Sequence, residues 1–202
     1  MQIGFFIFTF VMLQAAGAIR VDPNPQPAPK QEFVAPFVVM AQPPAVPRVD
    51  FNACPFEGCQ FGKWTARKPV PVFSTWAAGR KVIARVKPGE KVKAITGVNI
   101  VLQVGKGIFD RDVPMFGAKK GDFVYSYEYC GEGEQDIWTH GRFIKCTDPN
   151  FSWKPGEGCQ EDCNGHYFEL GKSEWWVRIR MKDGRTGWVR VTDDFDGTDA
   201  LA

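Results

Sequence analysis

Apolar and polar positions alternate over short stretches through the second half of the chain, and nowhere does a helical period persist for three turns. The clearest stretch is Trp175-Trp176-Val177-Arg178-Ile179-Arg180-Met181-Lys182, then Asp183-Gly184, then Arg185-Thr186-Gly187-Trp188-Val189-Arg190-Val191. Two β-prone runs flank a pair suited to the positive backbone angles of a two-residue hairpin turn. On such a turn Ile179 would face Trp188, Arg178 would face Val189 and Trp176 would face Val191, so neither face is purely polar. Gly184 is expected at a positive backbone angle, Gly187 under a neighbouring tryptophan and Trp188 in the core. A lone hairpin is not stable in water, so this one is expected to close the edge of a small barrel or sandwich.

The same pattern predicts short strands around Val70 and Val72 and over Lys81 to Val86. A turn at Lys87-Pro88-Gly89-Glu90 leads into a period-two strand from Lys91 to Ile95. A related turn, Lys119-Lys120-Gly121-Asp122, precedes Phe123 to Tyr129, where Phe123, Tyr125, Tyr127 and Tyr129 share one face; core packing is the plainer reading of that stripe and a ligand platform the sharper one. Gly131-Glu132-Gly133 turns the chain into a strand expected from Asp136 to Ile144. From Thr147 to Lys172 prolines and glycines predict an irregular loop. The fold class is all-β.

Residues 1 to 18 hold an apolar run ending in Ala16-Gly17-Ala18, the small-x-small form a signal peptidase cuts after. The alternative is an uncleaved membrane anchor. Residues 19–53 carry Pro23, Pro25, Pro27 and Pro29 in alternation and then Pro43-Pro44, which predicts an extended linker, or more sharply a tract for a proline-binding partner. Phe33, Val34, Phe37, Val38 and Val39 are apolar for a spacer and place part of it along the domain or a membrane. The expected organisation is a signal peptide at 1–18, the linker at 19–53, a β-barrel region at 54–195 and a tail at 196–202.

The balance of 25 basic against 23 acidic side chains gives a net charge of +2, and no basic cluster is interleaved with aromatics, so nucleic acid is not an expected partner. Six cysteines in an exported chain read as three disulfides. The expected local pairs are Cys54 with Cys59, Cys130 with Cys146 and Cys159 with Cys163.

Catalytic and metal chemistries fare worse. A thiol hydrolase would need a free cysteine beside His140 or His166, and a serine triad lacks its Gly-x-Ser-x-Gly elbow. Zinc on Cys159, Cys163 and His166 with Cys54 or Cys59 competes with the disulfides at imperfect spacing. Asp194, Asp196 and Gly197 echo a calcium loop without its closing glutamate. Asn150-Phe151-Ser152 is a glycosylation acceptor only in a eukaryotic host. Neither cofactor, metal nor catalytic residue is expected.

Val82, Ile83, Lys87, Gly89, Glu90 and Val92, followed by Trp176, Ile179, Asp183, Gly184, Arg185, Thr186, Gly187, Trp188 and Val189, resemble the bacterial Src-homology-3-like family. The resemblance covers 65–104 and 175–191, and the stretch between departs from it as a large loop-rich insertion or a second, interleaved barrel. It implies a small, partly open barrel, exported to the periplasm or beyond, which the expected disulfides would staple. Such a barrel binds peptide, peptidoglycan or an envelope protein without doing chemistry. A groove of aromatics would form the contact surface, with Tyr125, Trp138, Trp153 and Trp175 as candidates. A disulfide-stapled envelope structural protein with no specific ligand is the alternative.

Overall fold

The computed structural model describes residues 36–155, 157–158 and 162–201. The expected signal segment, the linker as far as residue 35 with Phe33 and Val34, and Cys159 lie outside the described residues. In chain order the strands are β1 (Val38–Val39), β2 (Arg48–Phe51), β3 (Gly62–Ala66), β4 (Val70–Phe73), β5 (Val82–Val86), β6 (Lys91–Gln103) and β7 (Gly105–Phe109). They continue as β8 (Phe123–Gly131), β9 (Glu134–Thr139), β10 (Arg142–Thr147), β11 (Phe151–Ser152), β12 (Gly165–Glu169), β13 (Lys172–Arg180), β14 (Thr186–Val191) and β15 (Phe195–Asp196). Among the described residues the one helical element is a 3-10 turn at Pro114–Phe116, and no helix is long and apolar enough to cross a membrane. The chain is all-β, as its periodicity predicts.

Two curled, half-barrel sheets share these strands. The first has the order β15-β3-β6-β13-β14-β4-β5, with β2 added beside β6, and the second has the order β1-β10-β9-β8-β7-β12-β11. β6 organises the first sheet: β13 pairs along one edge, while the other edge is divided between β3 at Lys91–Ala94 and β2 at Val98–Val101. Its burial follows this division. Exposed Lys91, Lys93 and Ile95 alternate with buried Val92 and Ala94, after which Gly97, Val98 and Asn99 are buried in succession. The chain at Ala53 crosses that second half, its N–H donating to the Gly97 carbonyl at 3.2 Å. A Cβ on Gly97 would overlap the Ala53 carbonyl, so only glycine permits the crossing.

β6 runs through Val104 into β7, and β12 returns through Leu170-Gly171 to β13. The second sheet, β1 apart, is therefore an insertion between β6 and β13. It has a core of its own around Phe109, Phe116, Val124, Ile137, Ile144 and Tyr167. The first sheet closes on Trp64, Val72, Val177, Ile179, Val189 and Phe195.

The β13–β14 hairpin stands one residue out of its expected register: Val177 pairs with Val189, Arg178 with Trp188 and Ile179 with Gly187. Met181 N donates to Arg185 O at 2.9 Å and Gly184 N to Met181 O at 3.0 Å, which makes a three-residue loop with a type I turn closed by Gly184 at φ 85°. Asp183 selects this form, because its Oδ1 accepts the Arg185 N–H at 3.0 Å and holds the residue in an Asx turn. Gly187 is covered by β4 rather than by a tryptophan, since a Cβ there would overlap Val72 and lie 2.9 Å from the Phe73 carbonyl. Trp188 is half-buried, outside the core. A two-residue turn does occur at His140-Gly141, φ 48° and 74°, and splits the single strand expected from Asp136 to Ile144 into β9 and β10.

Three further boundaries differ. Residues 36–51 of the expected linker belong to the fold, since β1 pairs with β10 and β2 with β6. The expected tail is pinned, with Gln60 N donating to Thr198 O at 2.9 Å and Ala200 N to Gly58 O at 2.7 Å. The loop expected from Thr147 to Lys172 contains β11 and β12, which pair in parallel. Cys54–Cys59 and Cys130–Cys146 are disulfides with Cα separations of 5.5 and 5.4 Å, and Cys163 is also disulfide-bonded.

Candidate functional site

On β8 it is Val124, Ser126 and Glu128 that are buried, so the aromatic stripe lies on the opposite, half-covered face. The N-terminal strap lies against this stripe. The Tyr127 hydroxyl donates to Pro44 O and the Trp138 indole N–H to Met40 O, each at 2.9 Å. Tyr125 and Trp138 meet edge to face with centroids 5.5 Å apart. Trp153, 51% exposed, leans over Tyr167 at 5.0 Å between centroids. Trp175 is 6% exposed, its N–H donates to Ala53 O at 2.9 Å, and its ring packs against Trp64 at 5.6 Å; it is a core residue of the first sheet, because β13 turns that face inward. The four aromatics thus do not form one groove.

Trp153 does border a cleft of about 240 Å³ where the two sheets meet. Asn99 from β6 and Gln135 from β9 lie in its wall beside Ser126, Tyr127 and Leu170. Both amides are almost fully buried, 3% and 4% exposed, yet Asn99 Oδ1 and Gln135 Nε2 have no hydrogen-bond partner among the described residues. Unpaired buried polar atoms of this kind cost about 1 to 3 kcal/mol each. Tyr167 fixes the orientation of one of them, since its hydroxyl donates to Gln135 Oε1 at 3.4 Å and leaves Nε2 as the unpaired end. Burial pushes the Tyr167 phenol up to about 12, so it remains a donor at neutral pH. The cleft offers a polar wall and an aromatic rim, while the two unpaired amide atoms themselves are sealed from solvent. Its two amides were readable in sequence only as polar interruptions, Asn99 within Val98 to Val101 and Gln135 ahead of Ile137.

Beside the cleft, Arg48 Nε lies 3.2 and 3.1 Å from the two oxygens of Glu128, which is 4% exposed, and Arg48 Nη2 lies 3.7 Å from Asp136 Oδ2. Burial raises the Glu128 carboxyl above its usual range; Arg48 opposes this and Asp136 adds to it. The folded state therefore holds the Glu128 proton to higher pH than the unfolded chain does. Stability from this group is present at low pH and is lost as pH rises through the folded value. Between pH 4 and 7 the stability of wild type relative to Glu128→Gln is expected to fall, as read by denaturant midpoints across that range. A constant difference would remove the assigned cause.

Asp136 Oδ1 also lies 3.7 and 3.9 Å from the sulfurs of Cys130 and Cys146, and with both in a disulfide this cluster offers no thiolate to a metal. Among the described residues there is no free cysteine, so the hydrolase and zinc sets lose their thiols at Cys54, Cys59 and Cys163. His166 is instead held by Asp110 at 2.8 Å. Comparison with protein-family models, curated proteins and solved structures finds no match to this chain.

Proposed function

We propose that the chain is an exported, non-catalytic binding module with a Src-homology-3-like barrel, and that the cleft between its sheets takes a peptide segment of a cell-wall or envelope partner. The observation that carries this is the wall of the cleft: Asn99, Ser126 and Gln135 set polar side chains beneath the exposed rim of Trp153, where a peptide segment can meet both polar and apolar groups. The half-barrel sheets support a small barrel, and the disulfides are compatible with the oxidising compartment that export provides. Trp153 would supply apolar contact at the rim, where an exposed aromatic is already in place.

Pull-down with purified cell wall and with solubilised envelope proteins tests the proposal. A saturable partner is expected, and Trp153→Ala should weaken its capture by about tenfold or more while leaving the melting temperature unchanged. Absence of a saturable partner in both fractions would favour the disulfide-stapled structural protein instead.

A further inference from the structure

We propose that the outer face of the first sheet carries a second binding site, for a linear anionic polysaccharide. A groove of about 650 Å³ runs over β3, β6 and the end of β13, lined by Lys63, Lys91, Lys93, Arg180 and Lys182 with Glu90 as its one carboxylate. The strand register sets these cations side by side, since Lys63 pairs with Lys93 and Lys93 with Arg180. All five are exposed, and none makes an ion pair among the described residues. Like charges directly opposite on neighbouring strands destabilise a sheet. Here three stand in a row, at strand spacings of about 4.8 Å. A molecule whose whole net charge is only +2 has concentrated its cations where they repel, and a bound polyanion would relieve that repulsion.

The shape of the groove selects the ligand. Beyond Met181 and Lys182 it continues into a hollow that adds Arg85, where Arg185 is paired with Asp183 at 2.8 Å, so charge is offered along a line rather than at a point. Between the charged side chains lie only Val92 and Met181, core residues 5% and 7% exposed, so the groove offers no apolar surface to a lipid bilayer. Among the described residues no aromatic side chain lines it, so unpaired bases have nothing to stack on. A chain of sugars bearing regularly spaced acidic groups satisfies all three conditions.

Isothermal titration of the full chain with oligogalacturonate, a neutral oligosaccharide of equal length, inorganic phosphate, single-stranded DNA and vesicles of equal parts phosphatidylglycerol and phosphatidylcholine provides the test. Oligogalacturonate should bind at least about tenfold more tightly than any of the others, and salt should weaken it as exposed charges are screened. Lys63→Gln/Lys93→Gln/Arg180→Gln should lose that binding by about tenfold or more while melting at or above the wild-type temperature, because its repulsion is gone. Should the triple variant fail to fold, Lys91→Gln/Lys182→Gln on the rim gives the same readout. Trp153→Ala should leave oligogalacturonate binding intact, which separates this groove from the cleft. Equal binding by the charge variants, no binding of oligogalacturonate, or preference for vesicles, DNA, phosphate or the neutral sugar would overturn the proposal.

Discussion

Replacing Trp175 with alanine is expected to destabilise the domain by about 3 to 5 kcal/mol, the range for emptying a well-packed aromatic site. Phe56, Phe61 and Trp64 surround its ring, with centroids at 5.5, 6.2 and 5.6 Å. None of these can swing in to fill the space without leaving its own packing. Phe56 lies between Cys54 and Cys59, and Trp64 is fully buried and donates its N–H to Gln60 O at 3.1 Å. The Ala53 carbonyl would also lose its indole donor at the point where the chain crosses β6. Trp175→Phe should recover most of the apolar contact but not this hydrogen bond, and so fall between the two. Urea unfolding followed by far-ultraviolet circular dichroism decides it. An unchanged midpoint in Trp175→Ala would mean that the ring is not part of the core.

The same residue shows what the sequence could and could not convey. Alternation located β13 and β14 and the all-β class, because period-two burial is a local property. It could not say which face of Trp175-Trp176 turns inward, since both faces of β13 are covered, one by the barrel core and the other by Phe73 on Trp176 at 5.5 Å. Register failed for a related reason. Asp183-Gly184 suits two turn types, and the choice rests on one side-chain hydrogen bond to Arg185 N. The linker at 36–51 was misread because proline density implies extended chain without saying what that chain lies against. Here its Met40 and Pro44 carbonyls accept from Trp138 and Tyr127 and β1 pairs with β10, while Phe37, Val38 and Val39 remain exposed. The cleft is less legible still, since it joins β6 and β9 across an insertion, and no local pattern records that juxtaposition.

Removing the Cys130–Cys146 bridge is expected to cost about 3 kcal/mol and removing Cys54–Cys59 about 2 kcal/mol, on the chain-entropy relation for their spans of 16 and 5 residues. The larger loss has a component that can be isolated. Cys146 sits at φ 43°, in the left-handed region, where the β9–β10 register shifts between Ile144 and Thr147. A side chain in that conformation costs roughly 1 to 2 kcal/mol, a cost glycine does not bear. Asp136 helps to hold the backbone there, its Oδ1 accepting the Cys146 N–H at 3.0 Å, so the conformation does not depend on the sulfur bridge alone. Cys130→Ser/Cys146→Ser should therefore lose the full amount, whereas Cys130→Ser/Cys146→Gly should be more stable than the serine pair by about 1 kcal/mol. Guanidinium unfolding of both variants, with the remaining bridges verified intact by mass spectrometry, measures the difference. Equal midpoints would show that the backbone relaxes out of the left-handed region once the bridge is gone, and that the disulfide rather than Asp136 imposes it.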